Sequence, residues 1–292
     1  MAWAFVGVLL FSFSVPLTKE ALGGFEPFLT ATGRAVIAGL LAAVILAIRR
    51  VPVPERRHWS PLFLTMLGAV FGWPILLALA LQHTTSAHVA VIASFMPLTT
   101  AVIAVLHTHE AVPRQFWVAA SAGTVVLVAF ALSQGGASGG NLEADVLVVG
   151  AVLSASWCYV LGASVTRALP GWQVISWVVV ISLPVTIPAS IVLWLATSDS
   201  YAPDAREWAS LVLLGVSSMY FGFFAWYRGL ALAGIARGSQ VQQLQALLTL
   251  VWSAVFLGEE VTPTTVLVAL AVIACVVWSQ RARAPRVMAP QE

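Results

Sequence analysis

The 292-residue chain is 60% hydrophobic and only 9% charged, with a mean hydropathy of +0.94. A water-soluble domain runs nearer to ~45–50% apolar and ~25% charged, so a water-facing globular fold is excluded. The formal net charge of +2 is too small to read as the basic footprint of a nucleic-acid partner.

Apolar runs of about 20 residues, the length that crosses a hydrocarbon core, recur ten times along the chain. They span 3–20, 27–48, 61–82, 86–106, 113–132, 144–166, 172–196, 207–230, 235–257 and 263–281. Turn-forming stretches separate them, among them Val51-Pro52-Val53-Pro54, the glycine-rich 135–141 and Ser198-Asp199-Ser200. Thr262 before Pro263 reads as an N-cap followed by proline at the first helical position. Ten such runs exclude a sizeable extramembrane domain. Met1-Ala2-Trp3 lacks a basic n-region, so the first run is expected to be retained as a signal anchor. Cys158 and Cys275 both lie inside apolar runs, which implies neither a disulfide framework nor a thiolate metal site. No metal or cofactor is expected.

Charge sets the expected orientation. With the N-terminus in the cytoplasm, the inner loops and tail hold Arg49, Arg50, Arg56, Arg57, Arg114, Arg167, Arg237, Arg281, Arg283 and Arg286, with Arg228 at the inner end of the eighth run. The outer loops hold only Lys19 and Arg206, and Arg34 is left inside the second run. This positive-inside bias predicts both termini in the cytoplasm, and the membrane expected is the cell's inner (plasma) membrane. The two halves also resemble each other: His109-Glu110-Ala111-Val112-Pro113 and Glu259-Glu260-Val261-Thr262-Pro263 stand 150 positions apart, as do Gly72 and Gly222. Five spans per half is an odd number, so the second half enters the bilayer upside down relative to the first. The expected fold is therefore an all-α membrane protein of ten transmembrane helices in two inverted five-helix repeats. Its expected parts are residues 1–134, a periplasmic linker 135–143, the second repeat 144–281 and a cytoplasmic tail 282–292.

Several short elements carry a family likeness. They are Gly33-Arg34-Ala35-Val36 opening the second run, Ala80-Leu81 before Ser86-Ala87, Pro97 in the fourth run and Gly258-Glu259-Glu260 ending the ninth. On these the chain resembles the drug/metabolite transporter superfamily in its ten-helix, EamA-type form, and is most similar to the bacterial aromatic amino-acid exporters. His109 departs from the pattern, standing where a glycine is expected. The resemblance implies export from the cytoplasm by alternating access, through a cavity lined by helices one, three, four, six, eight and nine.

Depth and side-chain chemistry nominate the cavity residues. Ten tryptophans, Trp226 and Trp252 among them, fall towards span ends, where an interfacial belt is expected; Trp73 and Trp157 lie nearer mid-depth. On a helical wheel Tyr220, Phe223, Phe224 and Tyr227 share one stripe of the eighth run, either helix packing or a stacking wall for a flat or cationic ligand. Ser239, Gln242, Gln245, Thr249 and Ser253 form a polar stripe on the ninth run; Gln240 and Gln243 point away from it. Unpaired amides are costly in hydrocarbon, so Gln242 and Gln245 are expected to face protein or water and not lipid, as a polar cavity wall or as hydrogen bonds between helices. The candidate substrate-binding set is Trp73, Trp157, Tyr159, Tyr220, Phe223, Tyr227, Gln242 and Gln245. Pro74 and Pro97 are candidate hinges, because proline removes a helix hydrogen bond. Arg34 is expected to snorkel outward or fix helix packing in preference to meeting a ligand.

The function expected from these features is a secondary transporter exporting small amphipathic solutes, aromatic and other neutral amino acids first. A multidrug or cationic-amphiphile exporter is the near alternative. An intramembrane enzyme lacks a catalytic constellation in this sequence, and a channel lacks a charge ring or filter loop. No Asp or Glu stands near the middle of a run, which favours facilitated diffusion over proton antiport. The partners expected are a small-molecule solute and the lipid bilayer; the sequence sets no oligomeric state, and a monomer suffices.

Overall fold

A computed structural model describes residues 1–84, 89, 92–108, 112–132, 142–245, 247–248, 251–252 and 263–281. Among these residues every regular element is a helix. The helices are α1 (Ala2–Ala21), α2 (Pro27–Ile48), α3 (Arg56–His83), α4 (Met96–Thr108), α5 (Arg114–Ala131), α6 (Leu142–Val165), α7 (Gly171–Thr197), α8 (Ala205–Ala233), α9 (Ile235–Ser239, continued by a 3₁₀ turn at Gln240–Gln243) and α10 (Pro263–Arg281). Six of them, α1, α2, α3, α6, α7 and α8, are long and apolar enough to cross a membrane. The chain is thus a multi-pass membrane protein. The 150-position junction motifs at 109–111 and 259–262, the linker 135–141, the tail 282–292, and Thr249 and Ser253 lie outside the described residues.

Local chemistry explains the helix ends. Pro27 opens α2 with its fixed φ, and the Glu26 carboxylate accepts from the Leu29 amide at 2.8 Å. A full capping box starts α8: Asp204 accepts from Glu207 N–H while Glu207 accepts from Asp204 N–H. Gly234, at φ 85°, makes the turn from α8 to α9, a conformation that a Cβ disfavours.

Two helices are interrupted close to a proline. α1 breaks at Phe13, one turn before Pro16. In α3 the backbone widens to a π-helix over Leu67–Gly72, immediately ahead of Pro74; proline supplies no N–H to the carbonyl one turn back. α7 behaves differently, since Pro184 and Pro188 sit inside an unbroken helix. A second π segment, Leu214–Gly222, lies in α8, which holds no proline. π segments are rare and cluster at functional sites.

The helices pack in defined pairs: α2 along α7, α1 along α8, α3 along α6, α4 against α6 and α9, and α5 against α10. Small residues permit the closest crossings. A Cβ at Gly7 on α1 would come within 2.9 Å of the Trp226 backbone on α8. The main apolar core runs through α1 to α9, with Val8, Leu77, Val152, Ile175, Met219 and Trp226 buried in it. Outward faces carry Val44, Leu106, Val125, Ile191 and Leu195, as a lipid-facing surface requires.

Candidate functional site

Between α1, α2, α3, α6 and α8 the packing opens into a cavity enclosing about 390 Å³ of interatomic space, part of it open to solvent. The free space left between its side chains has room for about one or two waters. This is a contracted pocket. A ligand larger than water has to displace side chains.

Its walls are aromatic. Phe11 stacks on Tyr159 with ring centroids 6.0 Å apart and planes at 21°, and meets Phe223 edge-on at 5.1 Å. Tyr159 and Phe223 lie 5.8 Å apart, and Trp226 packs behind Tyr159 at 5.3 Å. Trp73 closes another side. Offset and edge-on ring contacts of this kind are the favoured aromatic geometries, and the same faces can accept a flat ligand.

Amides supply the polar edge. Gln242 Nε2 donates to Met96 Sδ at 3.1 Å and, over longer reaches, to Tyr159 Oη at 3.4 Å and Gln245 Oε1 at 3.5 Å. Gln245 itself lines the cavity and reaches the Phe11 carbonyl. Tyr159 accepts from Gln242, so its own O–H proton is available to the cavity. Pro97, at the start of α4, fastens the neighbouring turn: its carbonyl accepts from Ser239 Oγ and Gln240 Nε2, each at 3.2 Å.

Of the residues singled out from sequence, the fold brings Trp73, Tyr159, Phe223, Gln242 and Gln245 together. It takes three elsewhere. Trp157 is 44% exposed, on the outward side of α6 beside the His107 ring. Tyr220 turns to α7, where its hydroxyl and Ser176 Oγ share a hydrogen bond of 2.9 Å. Tyr227 is buried in the packing between α8 and α6, donating to the Cys158 carbonyl at 3.1 Å and resting on Gly162. The stripe drawn on a regular wheel breaks up because the π segment over Leu214–Gly222 shifts Tyr220 out of phase with Phe223.

Other expectations change too. Trp226, read as an interfacial belt residue, is fully buried behind Tyr159. Trp252, read the same way, donates to Ser12 Oγ at 2.7 Å and stacks on Phe13. Gln240 and Gln243, set apart from the stripe, are both buried: Gln243 donates to Gln240 Oε1 and to the Ala120 carbonyl. The 3₁₀ turn advances about 120° per residue, which carries these amides inward alongside Gln242. Arg34 does not snorkel. It is 2% exposed, lines the cavity, and its Nη2 donates to Ser218 Oγ at 3.0 Å. Its neighbours on the wall, Phe11, Ser14 and Met96, gave no signal in a uniformly apolar or small-residue context; Arg34 did, as the lone charge inside its span.

Among the described residues no group of three or more His, Cys, Asp or Glu side chains converges to hold a metal. What the pocket offers is stacking faces and hydrogen bonds, the means of holding a solute. The sequence pattern of the EamA-like transporter family matches residues 1–133 and again 142–279. The Bacillus subtilis (strain 168) protein named "Uncharacterized transporter YdeK" is 41% identical over 278 residues, 95% of either chain. A solved crystal structure shares the fold at a TM-score of 0.78 with 16% identity, covering 97% of this chain and 99% of that one. The chain therefore belongs to the EamA-like transporter family, a branch of the drug/metabolite transporters.

Proposed function

We propose that this transporter exports small amphipathic solutes, aromatic and other neutral amino acids foremost, by alternating access through the cavity between α1, α2, α3, α6 and α8. The observation that carries the reading is the wall of Phe11, Tyr159, Phe223 and Trp73 edged by Gln242 and Gln245. Rings provide stacking surface, and amides match the polar atoms of a neutral or zwitterionic solute.

The frame is two inverted five-helix repeats, residues 1–134 and 144–281, joined by a periplasmic linker at 135–143 and followed by a cytoplasmic tail at 282–292. Two observations support it beyond the doubled family match. The π segments of α3 and α8 end at Gly72 and Gly222, 150 positions apart. The packing pairs also map onto one another when each helix is exchanged for the one five places away: α1 with α8 becomes α6 with α3, while α2–α7, α4–α9 and α5–α10 map onto themselves. That pattern supports a two-fold relation between halves. The arginine bias favours both termini in the cytoplasm of a cell bounded by this inner membrane. Pro74, beside a π segment, and Pro97, whose carbonyl ties α4 to α9, are the proposed hinges.

The test is flux. Purified protein in liposomes loaded with labelled phenylalanine, tryptophan or leucine is expected to give saturable efflux accelerated by unlabelled solute on the far side. Tyr159→Ala and Gln245→Ala are expected to abolish it in protein that still purifies monodisperse. Absence of protein-dependent flux for every solute tested overturns the reading, and ohmic current in its place identifies a channel.

A further inference from the structure

Arg34 is the sole charged residue of α2 from Pro27 to Ile48. Of the donors on its guanidinium, Nη2 is bonded to Ser218, while Nε is buried with no hydrogen-bond partner among the described residues. No carboxylate pairs with it among those residues. Helix packing alone accounts poorly for this arrangement. One serine satisfies one donor of five, and a buried cation without a counter-charge is strongly disfavoured.

Two further polar atoms are in the same state, one on the cavity wall and one on Gln242, immediately behind it against Tyr159 and Gln245. Ser14 Oγ lines it from α1, on a side chain 3% exposed, and has no partner among the described residues. Gln242 Oε1, on a side chain 4% exposed and bonded to the Tyr159 wall through its Nε2, is likewise unpartnered. The unmet groups are thus a cationic donor and a hydroxyl on the cavity wall and an amide acceptor next to it, with the rings of Phe11, Tyr159 and Phe223 lining the same cavity. That set complements a molecule bearing a carboxylate, a donor such as an ammonium, and a flat side chain.

We infer that Arg34 and Ser14 form a carboxylate subsite inside the transport pocket, so that an aromatic solute is carried only if it bears a carboxylate. The inference rests on the transport reading above and sharpens it. It also sets this protein against cationic amphiphiles, because the fixed guanidinium repels a cation at the place where cation–π contacts would otherwise hold one.

Four probes separate the possibilities: L-phenylalanine, 3-phenylpropanoate, L-phenylalaninamide and 2-phenylethylamine. Binding is read on the purified full-length protein by ligand-induced thermal shift, and transport by efflux from liposomes. The two carboxylates are expected to bind at least about tenfold more tightly than the amide and the amine, the scale of a lost charged hydrogen bond. Arg34→Gln is expected to weaken both carboxylates by about tenfold or more while changing the amide less than about threefold; Arg34→Lys retains part of the preference. Equal binding of all four probes by the wild-type protein overturns the subsite and leaves the transport reading standing. So does phenylalanine affinity in Arg34→Gln equal to that of the wild type. Binding and flux of none of the four overturns the transport reading itself. Should Arg34→Gln fail to fold, the wild-type probe series and Ser14→Ala decide, the latter weakening the carboxylates selectively.

Discussion

Gly162 and Tyr227 make the sharpest quantitative prediction in the molecule. Gly162 lies on α6 with the Tyr227 ring seated against it, so close that a Cβ there would meet the ring carbons and hydroxyl at less than any real contact distance. The ring cannot swing aside: Tyr227 is fully buried, and its hydroxyl donates to the Cys158 carbonyl at 3.1 Å. Gly162→Ala gains up to about 1 kcal/mol in helix propensity. Against this stand overpacking, about 3 kcal/mol at contacts this short, and the displaced Tyr227 hydrogen bond, about 1 kcal/mol. The net destabilisation is about 2–4 kcal/mol, which at roughly 2–4 °C per kcal/mol for a chain of this size lowers the apparent melting temperature by roughly 5–15 °C. The assay is thermal unfolding in detergent at one fixed scan rate, because membrane-protein melting is commonly irreversible. Adding Tyr227→Leu to Gly162→Ala is expected to recover part of the loss, a coupling of about 1–3 kcal/mol in a double-mutant cycle. A Gly162→Ala protein that melts at or above the wild-type temperature, or a strictly additive double variant, refutes the reasoning. Tyr227→Phe separates packing from binding: a drop of about 1 kcal/mol is expected with phenylalanine affinity unchanged.

Trp157→Leu is expected to leave solute flux within about twofold and stability within about 0.5 kcal/mol, because the indole lies outward beside His107; loss of flux in folded protein would return Trp157 to the pocket. Gln243→Leu strands Gln240 Oε1, which it bonds at 3.0 Å, and is expected to cost about 1–3 kcal/mol in thermal unfolding; an unchanged melting temperature contradicts the buried amide network. At the start of α8, hydrogen bonding with the Glu207 side chain, followed by the N–H groups of Arg206 and Glu207, holds the Asp204 carboxyl below its ordinary range. A carboxyl lowered in the folded state adds stability above its unfolded pKa of about 3.9 and loses it as pH falls through the folded value. Amide exchange at Arg206 and Glu207, corrected for intrinsic rates, should therefore show protection above about pH 4 that fades on further acidification; protection independent of pH, or unchanged in Asp204→Ala, removes the cap from the account.

The positions of the apolar runs were legible in the sequence, because crossing a bilayer imposes a length and a composition on each segment independently of its neighbours. A helix stands over each run, in whole or in part, among the described residues. The burial of Gln242 was legible for a related reason, since an amide inside a membrane span has to find a partner whatever the fold. Which face of each helix meets the pocket was not legible. In lipid the outer surface and the interior are equally apolar, so composition cannot separate Trp157, which faces outward, from Trp226, which is fully buried. The helical wheel fails as well where helices depart from 3.6 residues per turn: the π segment of α8 separates Tyr220 from Phe223, and the 3₁₀ turn after α9 brings Gln240 and Gln243 inward. Sequence alone marked Arg34 as a lone charge within its span. Only the approach of Ser218 from a helix 184 residues away, with Ser14 and the aromatic wall alongside, decided that this charge lies in the pocket and not at the membrane surface.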